Sequence, residues 1–151
     1  MKIRTVFCLF SLCALLFSAC STQRQQSHND IQLNMTVDMH RMRPMQEAWE
    51  DLAPQYYLRF EGRQLVSYLP YKWGIRVTNH EVDMNVLNFT APISGLKHNT
   101  TLHGDDCYLF NVQHSAFIFS FEITIDKQGN VSLEIGSDRC YPISFEGTLR
   151  Q

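Results

Sequence analysis

The chain has almost no excess of charge of either sign, which excludes one broad class of function. It carries 13 lysines and arginines against 15 aspartates and glutamates, a formal net charge of -2. Such a balance creates no strong field toward nucleic acid or an anionic surface. We therefore expect no nucleic-acid partner, and any attachment to a membrane must come from lipid.

Sequence motifs for catalysis and cofactor binding are also missing. The chain has no Gly-x-Ser-x-Gly nucleophile motif, no glycine-rich phosphate loop and no Cys-x-x-Cys pair. His98 and His103 stand near Asp105 and Asp106, but their five-residue spacing matches no close-spaced zinc motif. The sequence thus predicts no metal ion, no cofactor and no catalytic residue.

The first 20 residues have the order of a bacterial lipoprotein signal. A basic start is followed by an apolar run over residues 3–17 and by Phe17-Ser18-Ala19-Cys20, where small residues precede a cysteine. The run of about 15 apolar residues is shorter than the roughly 20 that a membrane-spanning helix needs. Ordinary signal cleavage would need a small residue where Phe17 stands. We expect cleavage before Cys20 after a diacylglycerol has been attached to its sulfur.

The remaining chain divides into a short tether and one domain. Residues 1–19 form the predicted signal peptide, and residues 20–30 hold the lipidated cysteine and ten residues without an apolar side chain. Such a segment cannot join a core and is typical of a flexible tether. Residues 31–151 are too few for two ordinary domains, so we predict one.

Two cysteines remain after the signal and the lipidated residue are set aside. In an oxidising envelope a leftover pair is more often a disulfide than a metal or catalytic pair. The sequence leaves two alternatives open. Cys107 and Cys140 form a disulfide, or they are two small buried thiols whose Cα atoms never come within about 7 Å.

Apolar and polar residues alternate along most of the domain, with the period of two that indicates β-strands. The clearest run is 117–125, and a loop at 127–130 joins it to a second alternating run at 131–135, which predicts a hairpin. Similar alternation marks residues 31–40, 56–69, 108–112 and 143–149.

These runs predict an all-β domain of seven to nine strands. The expected arrangement is a single antiparallel meander curled into a small barrel or sandwich, with little or no helix. Only residues 45–53, between Pro44 and Pro54, have helical composition. They could form one or two helical turns, or a loop.

Three short motifs carry a resemblance to a known family. They are SYLPYKWG at 67–74, FTAPI at 89–93 and ISFEG at 143–147. In this order, behind a lipoprotein signal, they resemble a domain-of-unknown-function family of small lipoproteins from Bacteroides and its relatives. The chain departs from that pattern at Lys72-Trp73, where the family has a single aromatic residue before glycine, and in carrying the two cysteines. The resemblance implies β architecture and an envelope location, and it implies no activity.

The resemblance also bears on which side of the envelope the protein occupies. Residues 21–24 lack the acidic cluster that resembles a surface-export signal in these bacteria. We predict a protein anchored by lipid on Cys20, at the periplasmic face of the outer membrane.

Four residues form the candidate ligand site. Tyr68, Tyr71 and Trp73, on a proline-stiffened loop, could stack on a sugar or a peptide side chain, and Arg76 could donate hydrogen bonds. The alternative is that these aromatic residues cap the open end of the core.

Two functions from different classes follow. The first is a non-catalytic envelope lipoprotein whose β domain binds a small ligand, a glycan or an envelope protein. The second is a small envelope hydrolase, or an inhibitor of one. Glu122 and Glu134 lie on the polar faces of paired strands, and such a pair of carboxylates is what a glycosidase needs. A deep pocket with convergent acids or histidines would favour the enzyme, and a rigid protruding loop would favour the inhibitor.

Overall fold

The computed structural model describes residues 31–72 and 85–151. These two ranges form nine β-strands and contain no helix, so none of their segments is a helix able to cross a membrane. The strands are β1 (Leu33–Pro44), β2 (Glu50–Asp51), β3 (Tyr57–Gly62), β4 (Gln64–Tyr68), β5 (Asn88–Thr100), β6 (Asp106–His114), β7 (Phe117–Ile125), β8 (Asn130–Ser137) and β9 (Ile143–Leu149).

Eight of the strands close into an antiparallel barrel. From β3 to β9 each strand pairs with the next along the chain, and β1 pairs with β3 on one side and with β9 on the other. The two-residue β2 lies beside the second half of β1, beyond the end of β3. The predicted all-β meander is confirmed, and the β1–β9 pairing makes it a barrel.

The barrel has two ends, which we call the near end and the far end. The described chain begins at the near end, where Leu33 is level with Gly62 and where the β7–β8 loop at 126–129 also lies. The far end holds the turn after Pro44, the β6–β7 turn and the β8–β9 loop at 138–142.

Side chains from all eight ring strands fill the interior. Phenylalanines dominate it: Phe110 stacks on Phe121 with ring centroids 5.0 Å apart, and meets Phe60 edge-on at 5.7 Å. An eight-stranded barrel is just wide enough for its own side chains. The inward face of β7 was predicted correctly, since Phe119, Phe121, Ile123 and Ile125 are all buried.

Three segments differ from the sequence-based expectation. The segment 45–53 forms a turn and the short strand β2, where one or two helical turns were an option. β1 runs past residue 40, because a bulge between Met39 and Arg41 moves the inward positions from odd to even numbers and buries Met42. β5 was not among the predicted strands. It continues through Pro92, because Pro92 lies just outside the β5–β6 pairing and that ladder needs no N–H from it.

The two cysteines do not pair, so the structure has the second of the two alternatives that the sequence left open, two separate thiols. Both thiols are free. Across the sheet, Cys107 lies at the level of Ser132 in β8. Cys140 comes just before Ile143, which pairs with Ile135 of β8, three residues beyond Ser132. At about 3.3 Å per strand residue this separates the two levels by about 10 Å, more than a disulfide can bridge.

The ring closes where β9 passes under the bulge of β1. At Gly147 a Cβ atom would overlap the carbonyl oxygen of Asp38 and would lie 2.9 Å from the sulfur of Met39. Only glycine leaves room for the β1 backbone there. On the outer side, the Arg41 guanidinium contacts Glu146 at 3.1 Å, and Arg150 pairs with Asp38.

Gly147→Ala should therefore weaken the closure. The added methyl group meets backbone, which cannot turn away, so we expect a loss of about 3 kcal/mol in the free energy of unfolding, measured by urea denaturation. Ser144→Ala, at an outward position of the same strand, is the control and should change it by less than about 0.5 kcal/mol. Equal midpoints for the two variants would show that β1 and β9 tolerate a wider spacing.

A candidate binding groove at the far end of the barrel

Tyr68, the first of the predicted ligand residues, lies on the outer wall of the barrel. It is the last residue of β4, and its neighbours Ser67 and Leu69 point inward, so its ring points outward and is 39% exposed. The ring stacks on Tyr56 at 5.6 Å between centroids and lies 6.0 Å from Tyr57. One aromatic surface is therefore available at this position.

Tyr71 lies on the opposite side of the wall, in the core. Its side chain is 2% exposed, and its hydroxyl donates to the carbonyl oxygen of Tyr141 at 3.2 Å. Burial raises the pKa of Tyr71 and also that of Cys140. Tyr71 thus caps the far end of the core, as in the alternative interpretation, and its ring offers no face to a ligand.

The other predicted site residues fall elsewhere. Cys20, Trp73 and Arg76 lie outside the described residues. The structure does not bring Tyr68 and Tyr71 together, because they point to opposite sides of the barrel wall.

A different feature, a groove, crosses the outer wall of β7, β8 and β9 toward the far end. Its floor consists of small residues, Ser120, Gly136 and Ser144. Ser120 and Gly136 are cross-strand partners, and a Cβ at Gly136 would lie 3.0 Å from the Ser120 hydroxyl oxygen. A larger side chain at either position would fill the groove.

Apolar side chains form the rim of the groove. Ile118, on the outer face of β7, is 58% exposed, and Met45, in the turn after β1, is 41% exposed. Pro142, the residue before β9, lines the same surface. Exposed apolar side chains around a concave surface are typical of sites that bind another molecule.

The turn after β1 holds Met45 in place. Glu47 N–H donates to the carbonyl oxygen of Pro44 at 3.1 Å, and Gln46 has a φ of 66°. This left-handed conformation costs a residue other than glycine about 1 kcal/mol. The turn therefore stores strain beside the groove, and strain of this kind concentrates at functional sites.

Two carboxylates lie in the groove, and sequence reasoning had paired them. Glu122 of β7 and Glu134 of β8 are direct cross-strand partners on the outer face, as the alternation predicted. Glu47 lies beside the same surface. Within residues 31–72 and 85–151, no three His, Cys, Asp or Glu side chains come close enough to hold a metal ion.

Sequence reasoning missed the rest of the groove. In the sequence of each single strand, the floor residues Ser120, Gly136 and Ser144 are indistinguishable from the ordinary solvent-facing residues of a β-strand. Ile118 was the available signal, because it is an apolar residue on the outward face of β7, between two inward phenylalanines.

Substitution of Tyr71 separates its role from that of Tyr68. Tyr71→Ala should lower the free energy of unfolding by about 3–5 kcal/mol, because it leaves a cavity under the far end. Tyr71→Phe should cost about 1 kcal/mol for the lost hydroxyl bonds, and Tyr68→Ala about 1 kcal/mol for the exposed stack. Denaturant melts check this order, and a Tyr71→Ala midpoint at or above that of Tyr68→Ala would contradict it.

Comparison with known proteins places the chain in a family. A structure search finds a crystal structure of a DUF4251 family protein from Bacteroides eggerthii DSM 20697, with a TM-score of 0.57 and 11% sequence identity, covering 77% of this chain and 78% of that chain. At this identity the likeness supports the fold alone. Curated proteins give no match. The family model described as a domain of unknown function, DUF4251, matches residues 24–149. The family expected from the sequence motifs is thereby confirmed, and the chain belongs to the DUF4251 family.

Proposed function

We propose that this protein is a lipid-anchored envelope lipoprotein that uses the groove at the far end of its barrel to bind another envelope component. The observation that carries this proposal is the position of the groove. Its exposed apolar rim, formed by Met45, Ile118 and Pro142, lies at the end opposite to the one where the described chain begins.

The anchor and the groove would then lie at opposite ends of the barrel. Ten residues separate Cys20 from Ile31, and they can span at most about 35 Å. A lipid on Cys20 at the periplasmic face of the outer membrane would hold the near end close to the bilayer. The far end would face the periplasm, where a partner could reach it.

The shape of the groove favours binding over chemistry. Its floor is formed by strand residues with short side chains, and it is open to solvent along the outer wall. A surface of this kind accommodates a chain or a glycan lying across it. Reacting groups held away from water, as in most active sites, would need a deeper enclosure.

The anchor is tested at Cys20. A clickable fatty acid supplied to growing cells should label the wild-type chain and leave Cys20→Ser unlabelled, and only the wild type should sediment with membranes. The reason is that the sulfur of Cys20 is the proposed acceptor of the lipid. Equal labelling of both chains would refute the lipoprotein proposal.

The groove is tested by photo-crosslinking in the full-length lipidated chain. A photoreactive amino acid in place of Met45 should yield a discrete adduct in native membranes, because the rim would contact the bound component. The same amino acid in place of Lys127, an exposed residue of the near-end loop, is the matched control and should yield none. Identical patterns from the two positions, or no adduct from Met45, would exclude the groove as the binding surface.

A further inference from the structure

Nine of the twelve Asp and Glu side chains in the described residues have a partner. Most of them contact a basic side chain or histidine within 4 Å, and two accept hydrogen bonds from their own loops. The ion pairs are Asp38 with Arg150, Glu50 with Lys72, Asp51 and Glu146 with Arg41, Glu61 with Arg59, Asp106 with His98, and Asp138 with Arg139, while Asp105 and Asp126 accept the loop hydrogen bonds.

The three exceptions all line the groove. The side chains of Glu47, Glu122 and Glu134 have no ion pair and no hydrogen bond within the described ranges. Glu122 and Glu134 lie directly opposite each other on paired strands, where two like charges destabilise a sheet. The fold thus keeps an unfavourable pair on a surface whose rim, formed by Met45, Ile118 and Pro142, is apolar.

The basic residues around the groove are engaged elsewhere. Arg43, which also lines it, places its guanidinium 4.8 Å from the centre of the Trp49 ring. Arg139 pairs with Asp138 in the β8–β9 loop. Lys97 is separated from Glu122 by the whole of strand β6. Among the described residues, Arg43 is thus the one basic side chain that lines the groove, and its charge stands against three carboxylates.

We infer that the groove binds a cationic segment of a partner polypeptide in which lysines or arginines alternate with apolar residues. This inference rests on the proposed function and names the chemistry of the bound component. The apolar residues would pack on Met45, Ile118 and Pro142. The aliphatic stems of the basic residues would lie over the small-residue floor, with their charged ends at Glu122 and Glu134.

Other occupants fit the charges less well. An anionic glycan or a phosphate-bearing lipid headgroup would face three carboxylates and only one guanidinium, that of Arg43. A bare metal ion would need a closer set of ligands than residues 31–72 and 85–151 provide. Charge complementarity together with the apolar rim selects a basic and partly apolar chain.

The test uses two fluorescein-labelled decapeptides, one of alternating lysine and leucine and one with glutamate in place of lysine. At low salt the full mature chain should bind the lysine peptide at least tenfold more tightly than the glutamate peptide, by fluorescence anisotropy. The double variant Glu122→Gln/Glu134→Gln should reduce that affinity at least fivefold. The control Asp51→Asn/Glu61→Gln removes the same charge from ion pairs outside the groove and should change it less than twofold.

Thermal melting separates loss of binding from loss of folding. Because the Glu122–Glu134 pair is repulsive, its neutralisation should raise the melting temperature, by about 2 °C. Weaker peptide binding by a more stable variant supports the inference. An equal loss of affinity in the groove and control variants, or an unchanged affinity in both, overturns it.

Failure of this inference can be distinguished from failure of the proposed function. If the Met45 adduct in native membranes persists in the Glu122→Gln/Glu134→Gln variant, the groove is a binding surface but its occupant is not cationic, and the inference fails alone. If Met45 yields no adduct, the proposed function fails. A wild-type adduct that is lost in that variant supports both.

Discussion

The close approach of β1 to β9 at Gly147 is the contact on which the barrel depends. It is made between residues more than one hundred positions apart, and it turns a linear meander into a ring. Without it the phenylalanines on the inner faces of β5, β6 and β7 would have no opposite wall to pack against. The bulge between Met39 and Arg41 is the local adjustment that allows the approach, because it lets the far half of β1 keep its apolar residues inward while it pairs with β9.

Closure also determines what the outer wall can offer. Every second residue of each ring strand must face solvent, and toward the far end of β7, β8 and β9 three of these residues, Ser120, Gly136 and Ser144, are short. A row of short outward side chains on a convex wall becomes a groove only where something taller borders it. The β1 turn and the β8–β9 loop provide that border, and they meet there because β1 and β9 are neighbours in the ring.

The sequence predicted the parts of this fold that depend on local alternation. The inward face of β7 follows from the period of two, and so do the hairpins formed by β3 with β4 and by β7 with β8. The full extent of β1 did not follow, because its bulge breaks the period, and β5 was obscured by Pro92 and Gly95. Whether the sheet forms a barrel or a sandwich depends on the pairing of β1 with β9, which are far apart in the sequence. No local pattern of residues predicts that pairing.

The candidate site was harder to predict for a related reason. Tyr68 and Tyr71 are three residues apart, so alternation predicts opposite faces for their side chains only if the strand continues to Tyr71. Alternation could not show where the strand ends. The pairing of Glu122 with Glu134 was accessible, since both flank the same short loop at a matching distance. The meeting of that pair with Met45 and Pro142 was not, because those residues come from opposite ends of the chain.

The closed ring would have a further consequence if the proposed lipid anchor concentrates the protein on a membrane surface. A sheet with a long free edge offers unpaired N–H and C=O groups to its neighbours, and molecules concentrated on a membrane would meet edge to edge often. Here each ring strand has a paired neighbour on both sides, and β2, which lies outside the ring, is two residues long. If the proposed anchor holds it on a membrane, such a barrel can be crowded there without joining its sheet to that of the next molecule.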